Sequence, residues 1–152
     1  TFEHARLVVE AGADIVALDG TMRKRPEGED LGTIVRRIHE ELNVMVMLDI
    51  STLEEGLNVE AFSPDLISTT MSGYTSYSPR MDGPDLRLVW NLVARSDVPV
   101  VAEGRIESPE QVRAAFEAGA FGVVVGRAIT DPEEITRRYA NAAEKNQIHS
   151  CQ

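Results

Sequence analysis

Cysteine is almost missing from this chain of 152 residues: Cys151 stands alone in a polar tail. No internal disulfide framework is available, which fits a reducing, cytoplasmic setting. Long apolar runs are missing too, and none approaches the ~20 residues needed to span a bilayer. The opening stretch TFEHARLVVEAGA has no basic start, apolar block or cleavage site, so no signal peptide is expected there. Basic residues are outnumbered 15 to 25 by acidic ones, for a net charge of -10. That field argues against nucleic acid or an anionic membrane as partner. A small anion held by a few local donors remains compatible with it. His4, His39 and His149 share no metal-ligand spacing, so no metal is expected. No phosphate-loop motif, dinucleotide fingerprint or nucleophile elbow occurs, and no organic cofactor is expected. The length suits one domain over residues 1–152, with 141–152 as a polar tail.

What the chain does have is a rhythm. DIVALD, VMVMLDI, DLISTT, VPVVAEG and FGVVVGRA are short apolar runs rich in β-branched residues. Their near-continuous hydrophobicity predicts parallel strands buried on both faces. Between them LGTIVRRIHEEL, TLEEGLNVEAF, PDLRLVWNLVARS, SPEQVRAAFEAG and DPEEITRRYANAAEK show helical spacing. Thr52, Ser108 and Asp131 suit N-caps, Pro109 and Pro132 suit first turns, and Gly12 and Gly119 suit C-terminal stops. EAGADIVAL at 10–18 and EAGAFGVVV at 117–125 repeat one pattern of helix end, turn and buried strand. The predicted order is one helix followed by five strand–helix pairs.

Such alternation means an open doubly wound sheet or a (β/α)8 barrel. All five strands end in polar or turning residues: Asp19, Asp49, Thr69 with Thr70, Glu103 and Gly126. In a barrel every strand end reaches one mouth, whereas in an open sheet only those near the switch point meet. The barrel is therefore favoured. Eight units usually take ~250 residues, and this chain has five, so it is expected to be the last five units of such a barrel.

Each strand end carries a candidate role. A carboxylate closing an apolar strand, as Asp19 does, must be paired or hydrogen-bonded; the loop behind it offers Arg23, Lys24 and Arg25. Thr52 can cap the following helix, which frees Asp49 to face the mouth. The loop MSGYTSYSP after Thr70 has the length of one that lines a ligand site. Glu103 sits at the mouth, Gly104 admits a ligand close to backbone, and Arg105 has the fork that suits phosphate. A structural Glu103–Arg105 ion pair would explain those two residues as well. With Gly126 and Arg127 ending the next strand, two Gly-Arg strand ends form a phosphate signal.

ADIVALDGTMRKRP, MLDIST, ISTTMSGYT, VVAEGRI and VVVGRAIT, in this order and spacing, resemble the N-acetylmannosamine-6-phosphate 2-epimerase family of bacterial sialic acid catabolism. The likeness spans about residues 10–140. It implies a phosphate-binding (β/α)8 barrel that interconverts N-acetylmannosamine 6-phosphate and N-acetylglucosamine 6-phosphate at C2, with no cofactor. By position, Glu103 and Asp49 are the implied catalytic carboxylates. Asp19, Arg25, Thr70, Ser72 and Tyr74 are the implied substrate contacts, and Gly104, Arg105, Gly126 and Arg127 the phosphate end. Arg127 replaces the small residue expected after Gly126. The family's proton-shuttling lysine belongs to an early strand, in a segment like GIIKR; here only Lys24 and Lys145 occur, and neither closes a strand. The chain alone is therefore expected to be inactive, and its exposed edges to associate, as a homodimer. Two other readings stand beside the epimerase: a half-barrel that only binds a sugar phosphate, and another enzyme of the phosphate-binding barrels.

Overall fold

The chain was analysed as a computed structural model, which describes residues 1–25 and 28–147, with the side chains of 144–147 left aside. Cys151 and His149 lie outside the described residues. Helix α1 (Phe2–Glu10) precedes five strands: β1 (Ile15–Asp19), β2 (Met45–Asp49), β3 (Leu66–Ser68), β4 (Val100–Glu103) and β5 (Gly122–Val124). The intervening helices are α2 (Leu31–Arg37), α3 (Leu53–Val59), α4 (Leu86–Val93) and α5 (Pro109–Glu117). After β5 come a short α6 (Arg127–Thr130) and α7 (Pro132–Gln147). All pairings are parallel and the strands stand in sequence order, β1-β2-β3-β4-β5. A doubly wound sheet would reverse that order at a switch point. Unbroken order is the order of a barrel wall, and the five units form an arc of one.

Local chemistry sets the helix ends much as the residue types predict. Thr52 and Glu55 form a reciprocal capping box on α3, Ser108 caps α5, and the Asp131 carboxylate accepts from Glu134 N at 3.0 Å to start α7. Gly12 and Gly119 end their helices at φ +102 and +95, a region that costs an L-residue strain. Three departures stand out. First, α7 continues to Gln147, two residues past the segment 131–145 that shows helical spacing. Secondly, β3 and β5 are three-residue strands, shorter than the apolar runs that hold them. Thirdly, the strands are not all buried on both faces: Ile15, Met45 and Val124 are exposed.

Period-two alternation sorts the strand residues. Val16, Val46, Leu48, Ile67, Val100 and Ala102 join the core beneath the helices. The opposite parity takes Asp19, Asp49, Ser68, Val101 and Glu103 to the inner face, because Asp19 pairs with Asp49, Asp49 with Ser68, and Ser68 with Val101. The mouth is therefore polar where the helix-facing layer is apolar.

One buried carboxylate orders that mouth. Glu55, 1% exposed, accepts from Ser51 N (2.8 Å), Ser51 Oγ (2.6 Å) and Thr52 N (3.2 Å) through one oxygen. Its other oxygen accepts from Met22 N (2.9 Å) and Tyr77 Oη (2.6 Å). The loops after β1, β2 and β3 are thus tied to a single side chain. Burial pushes its carboxyl up, but the hydrogen bonds from Ser51, Tyr77 and Met22 outweigh burial and hold it below the usual glutamate range.

Two outcomes follow. Glu55→Gln is expected to cost about 2–3 kcal/mol at neutral pH, since hydrogen bonds to a charged group are lost. Because the folded carboxyl titrates low, its stabilisation is present above the unfolded-state value and disappears as pH falls through the folded one. Thermal melts down to about pH 3 should therefore show the variant losing less stability on acidification than wild type; parallel losses would refute this. Gly56 packs on Leu92, and an added Cβ would lie 2.3 Å from Leu92 Cδ2. Leu92 is fully buried and cannot swing away. Gly56→Ala should cost roughly 1–3 kcal/mol in chemical denaturation.

Candidate active site

Asp49 and Glu103 close strands separated by β3, and they meet through it. Ser68 and Thr70 lie two residues apart and so share a side of the chain. Thr70 Oγ1 donates to Asp49 Oδ1 at 3.1 Å, Ser68 Oγ and Thr70 Oγ1 are 2.6 Å apart, and Ser68 Oγ donates to Glu103 Oε2 at 3.5 Å. Thr69, of opposite parity, turns away. Its hydroxyl donates to the Glu103 carbonyl at 3.0 Å and accepts from Glu103 N at 3.1 Å. It thereby fixes the backbone that carries the glutamate.

Burial pushes the Asp49 carboxyl up to about 6, and the charges of Glu103 and Asp19 add to the rise; bonds from Thr70 and Ser68 oppose it. Asp19 behaves in the opposite way. Burial raises its carboxyl, yet bonds from Thr21 and Arg23 prevail and leave it lowered. The pairing that its place at the end of an apolar strand demands is supplied by Arg23 Nη2, on Asp19 Oδ2.

Beside Glu103 opens a cleft of about 410 Å³, with Thr70, Tyr74, Gly104, Arg105, Gly126 and Arg127 in its walls. The chain turns sharply at its edge: Gly104 has φ +107 and Arg105 φ +54. A non-glycine residue in that region needs outside support. Arg105 has it, since Nε donates to the Gly83 carbonyl (2.9 Å), Nη1 to the Ser72 carbonyl (2.8 Å), and the guanidinium lies 5.1 Å from the Tyr74 ring centre. An ion pair with Glu103 is not among its contacts. The fork expected to serve a phosphate thus grips the β3–α4 loop, with Gly73 (φ +80) giving it room; a Cβ there would sit 2.8 Å from Arg105 Nη1.

The remaining expected contacts divide. Thr70 and Tyr74 reach the cleft. Ser72 does not: it is 2% exposed and donates to Asp85 Oδ2 at 2.8 Å, bracing the cap of α4. Arg25 does not either. Its Nη2 donates to the Asp19 carbonyl, and it borders a separate depression beside Glu55 and Phe62. Gly126 precedes α6, a Cβ on it would meet nothing within 4 Å, and the first N–H groups of a helix have no intrahelical acceptor.

Residue types alone did not single out Ser68 or Arg138. Ser68 was legible in principle, being two residues before Thr70 on a strand. Arg138 enters the cleft wall from α7, donating to the Glu107 carbonyl (3.1 Å) and pairing with Glu107 Oε2 (3.0 Å). That contact joins residues 31 apart and has no local signature. Arg105, Arg127 and Arg138 thus stand against Glu103, Glu107 and Glu134 around the cleft. In a chain of net charge -10, a locally balanced cleft is where an anion meets least repulsion. Among the described residues no cluster of His, Cys, Asp and Glu could hold a metal ion, and no helix is long and apolar enough to cross a membrane.

Comparison with known proteins bears on this geometry. The family model "Putative N-acetylmannosamine-6-phosphate epimerase" matches residues 2–145. A relative of that description, a 2-epimerase from Caldanaerobacter subterraneus subsp. tengcongensis, is 52% identical over 140 residues, covering 91% of this chain and 59% of the relative. The solved N-acetylmannosamine-6-phosphate 2-epimerase of Clostridium perfringens superposes with a TM-score of 0.89 at 42% identity, over 93% of this chain and 62% of that one. Thiamine phosphate pyrophosphorylase of Pyrococcus furiosus, at TM-score 0.60 and 22% identity over 92% of this chain and 64% of that one, shares the fold alone. The chain spans about six-tenths of the length of its family relatives. On its sequence from residue 2 to 145 and on its fold, the chain belongs to the N-acetylmannosamine-6-phosphate epimerase family.

Proposed function

We propose that this chain carries the glutamate-bearing and phosphate-binding part of a site that interconverts N-acetylmannosamine 6-phosphate and N-acetylglucosamine 6-phosphate. The observation that carries the proposal is the approach of Asp49 and Glu103 to one another across the Thr70 and Ser68 hydroxyls, at the edge of a cleft walled by Gly104, Gly126 and Arg127. Inverting C2 requires taking the proton made acidic by the open-chain carbonyl and returning one to the opposite face. Opening the sugar ring needs an acid and a base at the carbonyl and hydroxyl oxygens. Of the carboxylates that line the cleft, Glu103 closes a strand at the mouth and takes that task, with Asp49 behind it. Backbone N–H groups at Gly104 and Gly126 and the Arg127 guanidinium take the phosphate, which sets the distance from the phosphate to C2. Arg105 and Tyr74 hold the covering loop. Asp19, with its Arg23 partner, closes the far side of the mouth, and Ser72 and Arg25 act on the substrate only through the loops they brace.

The proton-shuttling lysine implied by the family resemblance has no counterpart at a strand end here. Lys24 lies in the loop after β1, and Lys145 lies on α7. The site is split along the barrel: the residues described here bind the sugar phosphate, and a lysine-bearing stretch of the same barrel completes the chemistry. The edge strands β1 and β5 carry the exposed apolar side chains Ile15 and Val124, which fit association of two copies in the cytoplasm.

Deuterium incorporation at C2 of N-acetylmannosamine 6-phosphate in heavy water tests the reaction. The chain alone should bind the sugar phosphate and leave C2 unlabelled. Adding the portion of the Clostridium perfringens barrel that this chain does not match should start labelling of both epimers. Glu103→Gln should lower that rate by about 10²–10⁴. Labelling by the chain alone would refute the split site, and absence of both binding and labelling would refute the function. Sedimentation equilibrium should find a dimer at micromolar concentration; a monomer would overturn the association.

A further inference from the structure

The three arginines of the cleft are engaged in different ways. Arg105 points its fork at two carbonyls of the β3–α4 loop, and Arg127, the first residue of α6, is exposed. Arg138 reaches the same wall from α7 and is held there chiefly by one residue. Its Nη1 donates to the Glu107 carbonyl at 3.1 Å, and its Nη2 pairs with Glu107 Oε2 at 3.0 Å. A second carboxylate oxygen, Glu134 Oε1, stands 3.8 Å from Arg138 Nε. Glu134 is the weaker anchor, because its other oxygen is taken by Arg137 Nη1 at 2.6 Å.

A hold of this kind yields to a better partner. The Arg138 and Glu107 side chains are 34% and 53% exposed, and an ion pair that open to solvent is weak, because water screens the attraction and both side chains lose rotamer freedom in making it. The Glu107 backbone is fixed separately, its N–H donating to Gln111 Oε1 at 2.6 Å, so the carboxylate can swing out without moving the chain that carries it. A phosphomonoester in the cleft offers the guanidinium two oxygens in fork geometry and more charge than a carboxylate. Arg138 already stands in the wall that Gly104, Gly126 and Arg127 share.

We propose that Arg138 is a phosphate ligand of this cleft, latched by Glu107 until a ligand enters and then handed over to the ligand's phosphate. Glu107 thereby sets a threshold, since an anion gains the fork only by competing with a carboxylate for it. A phosphomonoester dianion does so, whereas a neutral sugar leaves the latch closed. One ion pair is exchanged for another and no covalent bond changes. The inference rests on the reading of this cleft as the phosphate end of the site. To that reading it adds a ligand from the last helix and a reason for an acidic residue at the rim of an anion site.

Titration of the full chain with inorganic phosphate, followed by phosphorus-31 NMR at fixed ionic strength, tests the latch. Removing the Glu107 charge favours any anion, so the deciding comparison is the effect of Glu107→Gln with and without Arg138. Glu107→Gln should tighten phosphate about tenfold when Arg138 is present, the scale of one hydrogen bond to a charged group, and by no more than about threefold in an Arg138→Gln background. In the Glu107→Gln protein, Arg138→Gln should weaken phosphate by about tenfold or more, with Arg138→Lys, which keeps the charge and loses the fork, in between. Equal tightening by Glu107→Gln in the two backgrounds means that charge alone acts and overturns the latch, as does an affinity that falls in Glu107→Gln. Arg127→Gln separates this inference from the reading beneath it. Phosphate binding lost in Arg127→Gln and unchanged by Arg138→Gln leaves the phosphate end standing without the latch, and no phosphate binding by either wild type or Glu107→Gln overturns both.

Discussion

Five donors on one buried carboxylate hold the mouth of this molecule together. Glu55 cannot be left charged and uncompensated in a site with 1% exposure, and its compensation comes from Met22, Ser51, Thr52 and Tyr77, which belong to three successive loops. The geometry of those loops is therefore not independent. Ser51 lies two residues from Asp49, and Thr75, which donates to Ser51 Oγ at 3.0 Å, sits next to Tyr74 of the cleft. A change in any loop is transmitted to the others through one pair of oxygens.

The second constraint is parity. Parallel strands in register place residues of like parity on one face, so Asp19, Asp49, Ser68 and Glu103 arrive together without any long-range instruction beyond the pairing itself. Burial then makes their company expensive in charge. Asp19 resolves this with Arg23, whereas Asp49 has hydroxyl donors and no cation among its contacts. The mouth therefore contains two carboxylates of unlike character side by side, one fixed as an anion and one poised near neutrality. Such separation of titration behaviour is what a site moving protons requires.

Much of this was legible in the residues. Capping types at Thr52, Ser108 and Asp131, stops at Gly12 and Gly119, and the alternation of apolar runs with helical spacing gave the element order. Polar strand ends favoured a barrel over an open sheet, and the sequential strand order agrees. Helix α6 escaped because four residues are too few to show a period, whereas α7 follows the helical spacing of 131–145, with Arg137 pairs to Glu133 and Glu134 supporting its first turns within a polar sequence. At the candidate site, the places of Asp49, Thr70, Tyr74 and Glu103 along the strands and loops point to the mouth, and Thr70, Tyr74 and Glu103 line one cleft there. The loop contacts of Arg105 and Ser72 were not legible, because their partners, Gly83 and Asp85, lie in another part of the loop and leave no mark on the local pattern. Arg138 was missed for the same reason.

The central claim is that the strand ends of this chain form one phosphosugar site, with the phosphate at Gly104 and Gly126 and the reacting end at Glu103. A crystal structure of the chain with N-acetylglucosamine 6-phosphate tests it most directly. The phosphate is predicted beside the Gly104 and Gly126 backbone with the Arg127 guanidinium on it, and the sugar carbonyl end within hydrogen-bond reach of Glu103. A phosphate seated elsewhere, or a sugar whose reacting end lies away from Glu103, would contradict the account.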